Sequence, residues 1–166
     1  MQTRVYKITG SQGRKGSRII ALLDPGSTQI YVDREAAVRL RLKRTSKTFT
    51  LKVTYCDKQV NLDTYTVEFF LKSCDGTLTQ TVTAHTVQNM TKNISAVDWS
   101  QENYKFSDLL SVPFEPFSEA NSVSLLIGSD YLSLLRNLDT GSGTSAEPIA
   151  QLTPLGWICL NSPNVI

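Results

Sequence analysis

Asp24-Pro25-Gly26-Ser27 stands between the apolar run Ile19-Ile20-Ala21-Leu22-Leu23 and the apolar pair Tyr31-Val32. An apolar run of this length that stops at a Pro-Gly pair reads as a strand ending in a tight turn. The pattern therefore predicts one carboxylate held on a glycine-containing corner between two strands. Proline at position 25 brings no backbone N–H to that corner.

The flanking pattern extends this frame. Val5-Tyr6-Lys7-Ile8 and the Ile19 run read as two strands joined by the glycine-rich stretch 9–17, a hairpin that delivers Asp24 to its turn. Gln29-Ile30-Tyr31-Val32 reads as a short strand, and Asp33 as the cap of a helix over residues 34–40, whose apolar positions recur at helical spacing. Residues 48–90 alternate Thr, Val, Phe and Tyr with polar positions, a strand pattern, and Asp75-Gly76 marks a hairpin turn inside it. Residues 91–122, with Pro113 and Pro116 and no sustained period, read as a long connection with room for partial order against the body. Val123 to Ile127 is a buried-strand pattern ending at Gly128, after which Ser129 and Asp130 read as caps of a helix over residues 131–138. Residues 139–145 read as a flexible loop, and strand patterns resume around Gly156-Trp157.

A chain of 166 residues is expected to form a single domain over 1–166 without help from metals or disulfides. Hydrophobic content of 40% with 19% charge belongs to a globular protein, and no apolar stretch reaches the ~18 residues that cross a bilayer. The N-terminus lacks the apolar segment of a signal peptide, so the expected setting is intracellular, cytoplasmic or nuclear. Cys56, Cys74 and Cys159 are an odd count at wide spacing, which argues against a disulfide framework or zinc knuckle. The basic residues Arg14, Lys15, Arg18, Arg34, Arg39, Arg41, Lys43, Arg44 and Lys47 crowd the first third, where a weak anion-binding patch is the alternative to a solvated face, and they lack interleaved aromatic residues. They read as a solvated face and not as a nucleic-acid surface. His85 is the only histidine. With it alone, a Ser-His or Cys-His hydrolase is a poor reading, and the scattered carboxylates Asp57, Asp63 and Asp75 follow no metal-binding spacing. No metal and no cofactor are expected.

Three blocks in order, Ala21-Leu22-Leu23-Asp24-x-Gly26-Ser27, then Leu126-Ile127-Gly128-Ser129-Asp130-Tyr131, then Pro148-Ile149-Ala150 with Leu155-Gly156-Trp157, resemble the peptidase domain of BEL/Pao-type retrotransposon polyproteins. That family is retropepsin-like. The resemblance implies an all-β fold with one or two short helices: a small closed β-barrel of the acid-protease type that dimerises, each subunit giving one catalytic Asp. Asp24 is the position that matches. Two carboxylates in hydrogen-bond reach share a proton, and their repulsion separates an acid from a base that activates water. One such Asp per chain implies a homodimer, whose two-fold axis brings the same residue from each subunit together. A rival carboxylate lies in Asp139-Thr140-Gly141-Ser142, the tetrapeptide of two-lobed aspartic peptidases, but its flanks are not strands on both sides. It reads as loop.

The resemblance also assigns further roles. Ile127, Gly128, Ser129 and Asp130 form its structural glycine-helix block, and Ser27 is placed to donate a hydrogen bond to the outer oxygen of Asp24. In the family, the residue after the Asp bonds across the dimer axis through its hydroxyl and N–H. Pro25 supplies neither. At about 0.5–1.5 kcal/mol per lost bond, a symmetric pair of sites is weakened by several kcal/mol. Two functions follow. One is a weak or inactive domain serving as a dimerisation module or a peptide- or protein-binding module. The other is a working homodimeric endopeptidase acting on extended polypeptides, and Pro25 favours the first. A flap is expected within residues 55–65, its tip at Cys56, Asp57, Lys58 and Gln59, with the Ser73-Cys74-Asp75-Gly76 turn as competitor. Trp157 reads as a core anchor, while Trp157, Ile158 and Leu160 are also candidates for the subunit contact.

Overall fold

The computed structural model describes residues 2–10, 16–55, 58–89, 96–116, 122–141 and 147–160. The chain is mostly β, with a few short helices. Its strands are β1 (Gln2–Gly10), β2 (Ser17–Leu23), β3 (Tyr31–Asp33), β4 (Lys43–Arg44), β5 (Phe49–Tyr55), β6 (Lys58–Thr64), β7 (Thr66–Lys72), β8 (Thr79–Val87), β9 (Val123–Ile127), β10 (Asp139–Gly141), β11 (Ile149–Thr153) and β12 (Gly156–Leu160). The helices are α1 (Arg34–Arg39), α2 (Trp99–Glu102) and α3 (Leu132–Leu135). None of the described helices is long and apolar enough to cross a membrane.

Ten strands form one sheet in the order β10-β11-β12-β1-β2-β9-β3-β8-β7-β4, and β5 with β6 forms a separate two-stranded sheet. One edge of β1 runs along β2 from Gln2 to Ile8. Its other edge is shared, Gln2 and Thr3 pairing with β12 and Lys7 to Gly10 with β7. Alternation sets the faces, since successive side chains of a strand point to opposite sides. In β7, Val67, Phe69 and Leu71 are buried while the residues between them are half-exposed. In β8, Val82 and Ala84 face the same core. Strand β2 is apolar on both faces because both are covered. Ile19, Ala21 and Leu23 enter the main core with Ile30, Phe69, Leu125 and Ile127, whereas Ile20 and Leu22 pack with Ala96 and Val123. Fully burying a side chain such as Phe69 or Leu71 is worth about 1.5–3 kcal/mol.

Asp33 caps α1 as its position predicts, its Oδ1 accepting from the Glu35 and Ala36 N–H groups at 2.9 and 3.3 Å. The Asp75-Gly76 turn joins β7 to β8, with Gly76 at φ 76°, where a side chain would be strained. Two expectations are corrected. Ser129 and Asp130 do not cap a helix over 131–138. Residues Ser129–Tyr131 form a single 3₁₀ turn without a side-chain cap, followed only by the one-turn α3, because both polar side chains bond elsewhere. Residues 139–141 are not loop but strand, Asp139, Thr140 and Gly141 pairing with Leu152, Gln151 and Ala150. Within the long connection, residues 96–116 pack against the body and place Trp99, Leu109 and Val112 against Ala150 and Cys159 in a satellite core. Burial there pushes the Cys159 thiol up to about 12.

Candidate active site

Strands β2 and β9 are parallel neighbours, with Leu23 opposite Ile127. Both chains therefore leave the sheet at the same level, and the segments after them meet. The Asp24 N–H donates to the Ile127 carbonyl at 3.0 Å, one further rung of that ladder. The chain then turns: the Ser27 N–H donates to the Asp24 carbonyl at 3.1 Å, and the Gly26 N–H donates to Asp24 Oδ1 at 2.9 Å. Asp at the first position and Pro at the second suit such a turn, since proline is already fixed at the φ that the second position needs. The donors used are those of Asp24, Gly26 and Ser27. Proline's missing N–H thus removes no bond of the turn.

Two glycines let this corner close. A Cβ on Gly26 would lie 3.1 Å from Asp24 Oδ1, crowding the carboxylate that its own N–H holds. A Cβ on Gly128 would lie 2.4 Å from the Gln29 carbonyl oxygen and 2.8 Å from the Gln29 nitrogen. No side chain fits at that distance, so Gly128 is what allows the two segments to touch backbone to backbone. The residues after it then clamp the loop. Ser129 donates twice to the Ser27 carbonyl, through its N–H at 2.8 Å and its Oγ at 2.9 Å. Asp130 Oδ2 accepts the Ile30 N–H at 3.0 Å. These are the bonds that take Ser129 and Asp130 away from capping.

Ser27 departs from its expected role. Its Oγ donates to the Gln29 carbonyl at 2.9 Å and not to Asp24, and the bond on the Asp24 side chain comes from Gly26. The hydroxyl has one proton to give, and the carbonyl two residues on is within its reach. Asp24 is half-buried, while Pro25 and Gly26 are exposed. The corner thus presents a carboxylate at the surface on a backbone fixed from behind.

The other candidates lie as follows. Asp139 is exposed on β10, at the end of the strand order, and its Oδ1 accepts the neighbouring Thr140 N–H at 2.8 Å. No bond from a distant segment holds that side chain among those described. Strands β5 and β6 make a hairpin in register from Phe49 opposite Thr64 to Tyr55 opposite Lys58. The proposed tip residues Cys56 and Asp57 lie outside the described residues. Lys58 opens β6 and Gln59 follows it, exposed. The competing turn at residues 73–76 belongs to the ten-stranded sheet and is tied to itself, the buried Ser73 receiving the Leu78 N–H on its Oγ at 2.9 Å. Ile158 lies in the main core at 1% exposure, Leu160 packs against that core, and Trp157 packs against the satellite core. Among the basic residues, Arg39, Arg41, Lys43, Arg44 and Lys47 are exposed, and Arg44 stacks over the Tyr65 ring at 4.2 Å. No group of three metal-ligating side chains occurs among the described residues.

Sequence reasoning passed over Tyr31, Tyr131 and His85 as neighbours of this corner. Tyr131 Oη accepts the Thr83 N–H at 3.2 Å, tying the segment after Gly128 to β8. Burial pushes the Tyr31 hydroxyl up, and the Asp130 charge adds to it. Burial pushes His85 down, with Asp130 opposing. Their partners lie dozens of residues away, so no local signal exposes them.

No curated protein and no solved structure matches the chain significantly. The sequence profile of a family described as "Putative peptidase (DUF1758)" matches residues 10–146, a span holding the Asp24 corner, the hairpin and the Gly128 block. The chain belongs to that peptidase family.

Proposed function

We propose that the chain is a retropepsin-like aspartic peptidase domain, akin to those of BEL/Pao-type elements, that works as a homodimer with one Asp24 from each subunit. The observation that carries this reading is the Asp24 corner, a half-buried carboxylate held by Gly26 and backed by Ile127, Gly128, Ser129 and Asp130. Catalysis needs such fixed placement, because an ångström of slack costs on the order of a hundredfold in rate. The return pairing of β1 with β7 supports a barrel, since it joins two strands that stand far apart in the sheet order. In the dimer, the paired carboxylates share one proton, one acting as base on a water and the other as acid. The β5–β6 hairpin, which among the described residues is bonded into no larger sheet, is the natural flap over an extended peptide.

Pro25 sets the rate of this enzyme below that of a relative with a hydroxyl residue there. Its cost falls across the two-fold axis and not within the subunit, where the turn closes without a donor from position 25. A second reading, a dimeric binding module without turnover, is favoured by that same residue. Incubation of the purified chain with a peptide mixture at acidic and neutral pH, beside Asp24→Asn and Pro25→Ser, separates them. Cleavage by the parent that disappears in Asp24→Asn and rises in Pro25→Ser establishes the peptidase. Cleavage that survives Asp24→Asn overturns it. Silence in both the parent and Pro25→Ser, with a dimeric mass, leaves the binding module.

A further inference from the structure

Among the described residues, strands β5 and β6 pair with each other and with no third strand, so the hairpin is rooted by the contacts at its base. Thr64 Oγ1 donates to the Thr86 carbonyl at 2.7 Å, the Tyr65 N–H donates to Thr86 Oγ1 at 3.2 Å, and Arg34 donates to the Asp63 carbonyl. None of these bonds involves a histidine. A further contact is of another kind. Phe49, the first residue of β5, meets the His85 ring nearly edge to face, at 5.7 Å between centroids and 77° between planes. His85 in turn lies 5.9 Å from the Tyr31 ring.

The imidazole occupies this place without a bond on one nitrogen. Its Nδ1 is buried and has no hydrogen-bond partner among the described residues. A neutral ring leaves one weakly polar nitrogen unsatisfied. An imidazolium carries protons on both nitrogens, so Nδ1 becomes a charged donor with no acceptor. We propose that His85 is a proton-sensitive seat for the β5–β6 hairpin: the neutral ring holds Phe49 at the hairpin base, and protonation releases it.

The surroundings favour this direction. Tyr31 on β3 and Asp130 in the turn after β9 are titratable groups that bear on the ring. Helix α1 and strand β6, which also pack against β8, bring Arg34, Glu35 and Asp63, with Arg34 donating to the Asp63 carbonyl. Phe49 on β5 and Thr66, opposite His85 on β7, carry no charge. Tyr31 stays neutral throughout the range, its hydroxyl pushed further up by burial. Asp130 attracts the imidazolium, but its carboxylate is engaged with the Ile30 N–H. Burial outweighs that attraction and lowers the His85 pKa. Unseating returns the ring to water, where its affinity for a proton is ordinary, so a fall in pH through the histidine range favours the unseated hairpin. This inference stands on the hairpin's root alone and not on catalysis by Asp24.

NMR of the labelled full chain between pH 7.5 and 5, with amide exchange corrected for its intrinsic pH dependence, tests it. The expected result is that β5 and β6 amide shifts follow the His85 ring with one midpoint below 6.5, and that hairpin protection falls by about tenfold. In His85→Phe, which keeps a ring and removes the proton, the hairpin becomes insensitive to pH over this range. Equal pH dependence in His85→Phe, or a His85 titration in the parent that leaves β5 and β6 unmoved, overturns the proposal. The parent titration decides the matter by itself if the variant does not fold.

Discussion

The chain contains Asp-x-Gly-Ser twice, as Asp24-Pro25-Gly26-Ser27 and as Asp139-Thr140-Gly141-Ser142, and the two copies have opposite fates. The second has the more familiar letters. Its first three residues form strand β10 at the end of the sheet order, with Asp139 exposed and its side chain, among the described residues, bonded to the neighbouring Thr140 N–H. The first has a proline where a hydroxyl is expected, yet a strand 100 residues away supplies its support. Ile127, Ser129 and Asp130 each bond the loop, and Gly128 lets them approach. A carboxylate becomes a site through what stands behind it. The tetrapeptide alone does not provide that.

The widest separation between the two copies is expected in turnover. Asp24→Asn should abolish peptide cleavage while leaving the far-ultraviolet spectrum unchanged, whereas Asp139→Asn should cleave as the parent does. Equal loss in both variants would break the comparison. Next comes folding. Gly128→Ala drives a Cβ into the Gln29 backbone and should cost about 3 kcal/mol in chemical denaturation, the upper range of overpacking. Gly141→Ala places its Cβ 3.7 Å from that of Ala150, an ordinary contact, and should stay within about 1 kcal/mol. Asp130→Ala strands the Ile30 N–H and should lose about 1–3 kcal/mol, with Asp130→Asn recovering part of it because an amide oxygen still accepts. The smallest difference lies in the hydroxyls. Ser27→Ala removes a part-buried bond to Gln29 and should cost about 1 kcal/mol, while Thr140→Ala, losing an exposed bond from Asn137, should be neutral within about 0.5 kcal/mol. A larger loss at Thr140 would mean that β10 is held more firmly than its exposure suggests.

Stability should also fall in acid for a stated reason. A histidine whose folded pKa is lowered takes up fewer protons in the folded chain than in the unfolded one. The stability it supports is complete above the ordinary value of 6.5 and is lost as pH falls below it. Thermal melts in the parent and in His85→Phe should therefore diverge between pH 7 and 5, and parallel curves would place the acid sensitivity in the carboxylates.

Local patterns carried far. The alternation in β7, the continuous apolar run of β2 and the bounds of β9 are written in period and composition, because burial of one face or two leaves a mark on neighbouring residues. The cap at Asp33 and the turn at Gly76 are equally local, each satisfied within three residues. What failed to show was anything whose partner is remote. Ser129 and Asp130 carry the letters of helix caps, and only the parallel approach of β9 to β2 redirects them to Ser27 and Ile30. Strand β10 is too short to have a period. The satellite core of Trp99, Leu109 and Val112 is assembled from single turns, none of which has an amphipathic face long enough to read.

The sequence by itself determined the elements and the corner: strand, Asp-Pro-Gly-Ser turn, capped helix and a second strand ending at a glycine follow from residue chemistry within a few positions. The tertiary structure alone decided which of two similar tetrapeptides is supported, that Gly26 and not Ser27 holds the Asp24 side chain, and that the single histidine comes to rest under the base of the hairpin. The physical reason is range. Propensity and periodicity act over a few residues, while the support of a site is made by hydrogen bonds and close approaches between segments that meet only when the sheet is formed.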